Sequence, residues 1–202
     1  MTGRVVAAWA AAGGVDAELA AAMLEDVVDM IEAMQQVDGA VLTTASLADR
    51  ARSVAWPGMP VIEVPETADV GAALDAVHAV TGADAAAVVC ADSPDLPPLL
   101  LGKLFSALTS ATVAVCPAEG GGLVALAARL PVEGWLRGLA LRLDDGDASE
   151  ALRAAAPPRA FHVGPGWHRV RTDADTGRLD PGLEGWETTR ALLADRVSRR
   201  DR

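Results

Sequence analysis

Lysine is almost absent from the sequence. Lys103 is the only lysine, so nearly all of the 17 basic residues are arginines, and these become frequent toward the C-terminus. Acidic residues number 28, which gives a formal net charge of −11 at pH 7. A net charge of this sign repels nucleic-acid phosphates and anionic membrane surfaces. The composition therefore excludes a general nucleic-acid binder, and any phosphate-bearing ligand has to be held by arginine, by backbone N–H groups or by a divalent ion.

Cysteine and long apolar runs are scarce as well. Cys90 and Cys116 are too few for a disulfide framework, and both end predicted apolar strands, where a free thiol packs as a small hydrophobic group. No stretch reaches the roughly 18 to 20 unbroken apolar residues of a membrane span. The opening MTGRVVAAWAAAGG is only a weak match to a signal peptide, because its glycines lead straight into a strongly patterned helix. These features predict a cytoplasmic protein with reduced cysteines and no membrane partner.

Apolar strands alternate with amphipathic helices along the chain. The predicted strands are RVVAAWAA (4–11), 39–44, 60–66, 84–91 and 111–118, and the predicted helices are 15–34, 46–55, 69–82, 97–110 and 184–200. Unbroken apolar strands between helices predict a three-layer α/β/α fold with a mostly parallel sheet. Its buried centre is expected to contain Val88, Val89, Val113 and Val115. The 202 residues, 51% of them apolar, fit a single domain over 1–202, with a terminal helix and basic tail at 184–202.

Two aspartates follow a central apolar strand in VVCADSPDLPPLL (88–100). Asp92 falls at the carboxyl end of the strand, where ligands bind in open α/β sheets. A carboxylate there can hold Mg²⁺, which prefers oxygen ligands and bridges to substrate phosphates. The alternative is structural: Asp95 caps the helix that begins at Pro97, and Asp92 is a turn residue. His162 and His168 flank VGPGW without a third ligand, so a surface turn is the expected place for both.

The segment GADAAAVVCADSPDLPPLLLGKLFSAL, followed by ATVAVCPAEGGGLVALA and later by RTDADT (171–176), resembles a bacterial glycosyltransferase-like family of GT-A type. That family belongs to the nucleotide-diphospho-sugar transferase superfamily and lies near the guanylyltransferases that activate 2-phospho-lactate. Matches in the same order span residues 60–176, and Asp-Ser-Pro-Asp-Leu-Pro is the most specific of them. The resemblance implies a GT-A fold, a nucleotide or nucleotide-sugar substrate, and Mg²⁺ or Mn²⁺ as cofactor.

The resemblance also implies site residues, position by position. Asp92 matches the metal-side aspartate of the family, and Asp175 in RTDADT matches its distal metal ligand. Two ligands of one ion have to lie close together at the carboxyl edge of the sheet. No catalytic residue is assigned. The residues implied for binding the nucleotide or the second substrate are Gly13, Gly14, Ser93, Asp95, Glu119, Gly121 and Gly122.

The chain departs from the family near its N-terminus. Family members follow the first strand with a basic phosphate-gripping loop of the form KxPxPGRVKTRL, whereas this chain has only AAGG if RVVAAWAA is the strand. Gly120 stands where the family has aspartate, and Leu123 and Val124 replace an aromatic pair. The leading hypothesis is a Mg-dependent nucleotidyl- or glycosyl-transferase with a degraded phosphate loop. The alternatives are a non-catalytic relative that acts as a partner or scaffold, and a start codon further upstream that hides the true first strand and loop.

Overall fold

The computed structural model describes residues 3–10 and 14–200. Gly13, which the resemblance implies in ligand binding, lies outside the described residues, and Gly14 lies within them. The strands are β1 (Arg4–Trp9), β2 (Asp38–Thr43), β3 (Val61–Glu63), β4 (Ala85–Cys90), β5 (Val113–Pro117), β6 (Leu123–Arg129) and β7 (Phe161–Val163). The helices are α1 (Ala17–Glu32), α2 (Ala48–Val54), α3 (Val70–Thr81), α4 (Pro98–Ala107), α5 (Gly134–Arg137), α6 (Ala148–Ala155) and α7 (Glu187–Arg200), with 3₁₀ helices at Ala45–Leu47 and Asp173–Arg178.

The strands form one sheet in the order β3-β2-β1-β4-β6-β5-β7. β1 lies between β2 and β4 and is parallel to both, and the β2–β3 and β5–β7 pairs are parallel too. The predicted mostly parallel sheet is confirmed, and β1, formed by Arg4–Trp9 of the predicted strand, is an interior strand. β6 differs because it is antiparallel to both β4 and β5. Only residues 118–122 separate it from β5, and so short a turn reverses the chain, whereas a parallel crossover needs about a dozen residues or more.

Helix α1 follows the apolar spacing closely. The spacing predicts a helix over 15–34, and the helix runs from Ala17 to Glu32. The carboxylate of Asp16 accepts hydrogen bonds from the backbone N–H groups of Glu18 and Leu19, both at 3.0 Å, and so caps the helix. The four-residue helix α5 has no periodic pattern long enough to predict it.

Apolar side chains cover both faces of the sheet. Val88 packs on one face with residues of α3, α5 and α6, and Val89 packs on the other with residues of α1 and α4. Val113 and Val115 are buried as predicted. Helices on both faces confirm the three-layer α/β/α fold. Within 3–10 and 14–200, no helix has the length and apolar character needed to cross a membrane.

Both cysteines are buried free thiols, as the sequence predicts. Burial raises the pKa of Cys90 well above its usual value and that of Cys116 to about 12. A neutral, buried thiol is a poor nucleophile. The cysteines therefore serve packing and give no evidence of thiol chemistry.

The segment between β7 and α7 passes the carboxyl end of β4. The backbone N–H of Val170 donates to the carbonyl oxygen of Asp92 at 2.7 Å, which lays residues 169–171 beside the end of the strand. Val170 is buried in a small cluster with Leu19 and Met23 of α1. This packing places residues from the last third of the chain next to the Asp-Ser-Pro-Asp loop.

Candidate functional site

A cleft of about 450 Å³ opens at the carboxyl ends of β1, β2 and β4. Trp9, Thr44 and Cys90 from the strand ends line it, and so do Gly14 before α1 and Met23 within it. Residues 142–144 and 169–171 also line the cleft. Its position is the one where open α/β sheets bind ligands. Asp92 lies in this cleft, at the strand end from which the sequence predicts a ligand-binding carboxylate.

Asp92 is paired with a buried arginine. Arg169 donates from Nε to Oδ1 of Asp92 at 2.7 Å and from Nη2 to Oδ2 at 2.8 Å, which makes a bidentate pair. Its Nη1 donates to the carbonyl oxygen of Leu123 at 3.2 Å and lies 2.7 Å from Oδ1 of Asp144. Burial by itself lowers the pKa of the Arg169 guanidinium, but its acidic neighbours more than offset this effect and the pKa is raised. Arg169 is therefore a fixed cation inside the cleft.

Two further arginines line the same cleft. Arg142 is exposed, and its Nη2 donates to the carbonyl oxygen of Glu66 at 3.3 Å. Arg171 donates from Nη2 to the carbonyl oxygen of Gly121 at 2.8 Å, and its Nε is buried without a hydrogen-bond partner among the described residues. Neither arginine is predicted from the sequence, because neither belongs to a phosphate-binding motif. The alternation in HRVRT (168–172) could have indicated Arg169 and Arg171, since side chains two residues apart in an extended segment point to the same side.

Ser93 and Asp95 are buried, and their side chains contact protein rather than the cleft. Ser93 Oγ donates to the carbonyl oxygen of His168 at 3.1 Å. Asp95 accepts hydrogen bonds from Nε1 of Trp167 at 3.1 Å and from the backbone N–H of Asp180 at 3.0 Å, and its Oδ2 lies 3.0 Å from Nε2 of His168. His168 is therefore buried, contrary to the expected surface turn, because its ring packs against this carboxylate.

Glu119, Gly121 and Gly122 belong to the turn between β5 and β6. Gly121 and Gly122 have φ values of +102° and +78°, in the left-handed region that favours glycine. A Cβ on Gly122 would lie 2.6 Å from the carbonyl oxygen of Leu143. Because Gly122 has no side chain, the backbone carbonyl group of Leu143 can lie against it. Glu119 forms an ion pair with Arg178.

Gly14 and Asp175 both contact the backbone of Arg171. A Cβ on Gly14 would lie 2.6 Å from the carbonyl oxygen of Arg171. Oδ2 of Asp175 accepts hydrogen bonds from the Thr172 hydroxyl at 2.8 Å and from the N–H groups of Thr172 and Arg171 at 2.8 and 3.1 Å. These hydrogen bonds lower the pKa of Asp175, and the bond from the Thr172 hydroxyl has the largest effect. Asp175 thereby caps the 3₁₀ helix Asp173–Arg178, and the cleft lining includes Gly14 but not Asp175.

Among the residues that the structure describes, the carboxylates near the cleft do not form a donor set that fits a divalent ion. No group of three or more His, Cys, Asp or Glu residues within the described ranges is placed to hold a metal. Both oxygens of Asp92 accept N–H groups of Arg169, and Oδ2 of Asp175 is used in the helix cap. Mg²⁺ requires near-octahedral oxygen ligands, and a fixed guanidinium beside Asp92 repels a second cation.

Residues 27–141, more than half of the chain, match the family described as uncharacterized proteins conserved in bacteria (DUF2064). No curated protein matches the sequence.

Solved structures share the fold at low sequence identity. A protein from Desulfovibrio desulfuricans G20 named as a nucleotide-diphospho-sugar transferase is 17% identical, with a TM-score of 0.62 and 96% of each chain covered. Rv0371c from Mycobacterium tuberculosis H37Rv, solved as a manganese complex, is 16% identical, with a TM-score of 0.59 over 91% of this chain and 100% of that one. A CMP:2-keto-3-deoxy-manno-octonic acid synthetase complexed with CTP is 13% identical, with a TM-score of 0.57 over 96% of this chain and 98% of that one.

Proposed function

The chain belongs to the DUF2064 family, and we propose that it binds a nucleotide or nucleotide sugar in the cleft and transfers a nucleotidyl or glycosyl group from it. The proposal is supported by a fold shared with proteins named for nucleotide and nucleotide-sugar chemistry. It is also supported by the position of the cleft at the carboxyl edge of the sheet.

The observation that carries the proposal is the convergence of three arginines on one cleft in a strongly acidic protein. Arg142, Arg169 and Arg171 all line the cleft, although the net charge of the chain is −11. Arginine is suited to phosphate because its planar guanidinium donates paired hydrogen bonds. Glu66, Asp92 and Asp144 line the cleft as well, and Arg169 pairs with the two aspartates. Arg142 and Arg171 form no ion pair among the described residues, so their guanidinium groups are the ones that a phosphate can contact without displacing a carboxylate.

The remaining lining suits the uncharged parts of a nucleotide. Trp9 offers an aromatic face, with Val15 and Met23 as apolar neighbours, and a base can stack or pack there. Thr44 and Ser46 share a hydrogen bond of 2.9 Å between their hydroxyl oxygens at the same cleft. Such hydroxyls can donate to or accept from a sugar.

In nucleotidyl transfer an acceptor oxygen bonds to the α-phosphorus as the bond to pyrophosphate breaks, and in glycosyl transfer an acceptor oxygen bonds to the anomeric carbon as the nucleoside diphosphate leaves. In both reactions the acceptor loses its proton to water, and negative charge grows on the phosphate oxygen of the leaving group. Arg171 is held by the carbonyl oxygen of Gly121 and is preorganised to offset that charge, while Arg142 at the cleft edge holds the outer phosphate. The resemblance implies Mg²⁺ or Mn²⁺ for this role, and one structural neighbour is a manganese complex. Because the donor set of the described residues does not fit a metal, we assign this role to arginine.

A second candidate is a non-catalytic relative that binds the nucleotide without turning it over. It is favoured by the use of Asp92 to hold Arg169 and of Asp175 to cap a helix, since neither carboxylate is then placed to act on substrate. The two candidates agree on nucleotide binding and differ only in product formation.

Isothermal titration calorimetry with CTP, GTP, UTP and nucleotide sugars of the same bases tests the proposal. We expect at least one ligand to bind and, in a parallel titration, to change the tryptophan fluorescence of the protein, because Trp9 lines the cleft. We expect Arg171→Gln to weaken that ligand by about tenfold to a hundredfold, because a hydrogen bond to a charged group contributes about 1.5–3 kcal/mol.

The matched control is Arg153→Gln, which removes an exposed arginine of α6 outside the cleft and should leave affinity unchanged. The proposal fails if no nucleotide or nucleotide sugar binds, or if both variants bind like the wild type. Binding with no product from any donor and acceptor pair selects the non-catalytic candidate.

A further inference from the structure

We propose that Arg169 takes the place of the divalent ion at Asp92, so that the cleft binds the phosphate groups of its ligand without a metal. The inference rests on the proposed nucleotide-binding function and defines its charge chemistry. Asp92 is then a positioning residue for Arg169 rather than a metal ligand.

The hydrogen bonds of Arg169 support this exchange of roles. Its Nε and Nη2 each contact one oxygen of Asp92, at 2.7 and 2.8 Å, and its Nη1 lies 2.7 Å from Asp144. The guanidinium therefore lies between two carboxylates and is the cation that both of them contact. A metal ion that bound to Asp92 would lie within a few ångströms of this fixed positive charge, which raises its electrostatic cost.

Burial keeps Arg169 in this position. Its side chain is 5% exposed, and Nη1 also donates to the carbonyl oxygen of Leu123 at 3.2 Å. If the guanidinium moved out to admit a metal, this backbone carbonyl would keep only the weak thiol donor of Cys90, and the buried part of Asp92 would need a new partner. Arg169 is thus a built-in component of the cleft and not a mobile surface arginine.

Asp144 is the exposed carboxylate partner of Arg169, and a ligand can displace it. The side chain of Asp144 is 63% exposed, whereas that of Asp92 is 19% exposed. A phosphate oxygen can replace Asp144 on Nη1 while the bidentate pair with Asp92 stays intact. The buried Nε of Arg171 has no partner among the described residues and can donate to the same ligand after a small shift. Two guanidinium groups then contact one phosphate chain.

The first test is nucleotide affinity with and without metal. CTP and GTP are titrated into the wild type in EDTA and again in Mg²⁺. We expect affinity in EDTA to be at least as high as in Mg²⁺, because the protein binds the metal-free nucleotide. A gain of about tenfold or more on adding Mg²⁺, lost in Asp92→Asn, would overturn the inference and leave the proposed function standing. Absence of nucleotide binding in both buffers would refute the proposed function and this inference with it.

The second test uses Mn²⁺ alone and needs no nucleotide. In electron paramagnetic resonance the wild type should leave the signal of hydrated Mn²⁺ unchanged. Arg169→Met should gain Mn²⁺ binding, because it leaves Asp92 and Asp144 without their cation. Circular dichroism checks that the variant is folded, and Arg169→Lys, which keeps the charge, should behave like the wild type. Stoichiometric Mn²⁺ binding by the wild type that Asp92→Asn abolishes would overturn the inference.

Discussion

The side chain of Asp95 is fully enclosed and joins parts of the chain that are distant in sequence. Its carboxylate accepts from the Trp167 indole and from the backbone N–H of Asp180, and it contacts the ring of His168. Such a residue ties the Asp-Ser-Pro-Asp loop to the segment that carries Arg169. Its effect on the cleft is therefore through the position of the arginines.

We predict that Asp95→Ala destabilises the protein by about 2–5 kcal/mol, because each buried donor left without an acceptor costs about 1–3 kcal/mol. Urea unfolding measures this loss. The control is Asp173→Ala, which removes an exposed acid within the segment 167–180 that Asp95 contacts. It should change stability by less than about 0.5 kcal/mol. An Asp95→Ala variant as stable as the wild type but unable to bind nucleotide would make Asp95 a ligand contact instead.

Helix α7 is held against α1 by acids that lie far from it in sequence. Oδ1 and Oδ2 of Asp26 accept the N–H groups of Thr188 and Thr189 at 2.9 and 2.8 Å, so a residue in the middle of α1 caps the start of α7. Asp16 at the start of α1 makes a two-bond pair with Arg196, at 2.7 and 2.8 Å. The packing of α7 thus depends on both carboxylates.

The pKa of Asp26 gives this contact a pH dependence. Desolvation raises the pKa of Asp26, and its hydrogen bonds to α7 offset only part of that rise. The folded state then binds this proton more tightly than the unfolded state, whose carboxyl has a pKa of about 3.9. The contribution of Asp26 to stability falls as pH rises from the unfolded value through the folded one.

We therefore expect the stability of the wild type relative to Asp26→Asn to be greatest in acid and to decline as pH rises toward 7. Unfolding both proteins in guanidinium chloride at several pH values across this range measures the difference in their free energies of unfolding. The effects of the other carboxylates are common to both proteins and cancel in this difference. A difference that grows with pH would show that the hydrogen bonds from α7 outweigh desolvation and that the pKa is lowered instead.

Local pattern was enough to predict most elements of the fold, because helix and strand periodicities are local properties of the chain. It did not predict that β6 pairs antiparallel, since that follows from the length and glycine conformation of one turn. In the cleft, the strand end at Asp92 was predictable from VVCADSPDLPP. Arg169 was not, because its pairing with Asp92 depends on a contact between residues 77 positions apart.

At the scale of the whole molecule, charge is distributed unevenly. The chain is strongly acidic, yet at the end of strands from its first half three arginines from its second half meet an equal number of carboxylates, Glu66, Asp92 and Asp144. Long-range repulsion of a polyanionic ligand is screened at physiological salt, where the Debye length is about 8 Å. Local guanidinium contacts would then decide the binding that we propose, and the acidic net charge of the chain does not oppose it.

The most direct test of this account is a crystal structure grown with CTP, or with the nucleotide that binds best, in the presence of Mn²⁺ and with data collected at the manganese absorption edge. We predict nucleotide density in the cleft, phosphate oxygens in contact with Arg142, Arg169 and Arg171, and no anomalous peak at Asp92. A nucleotide bound on another face, with the three arginines in contact only with protein, would contradict the account.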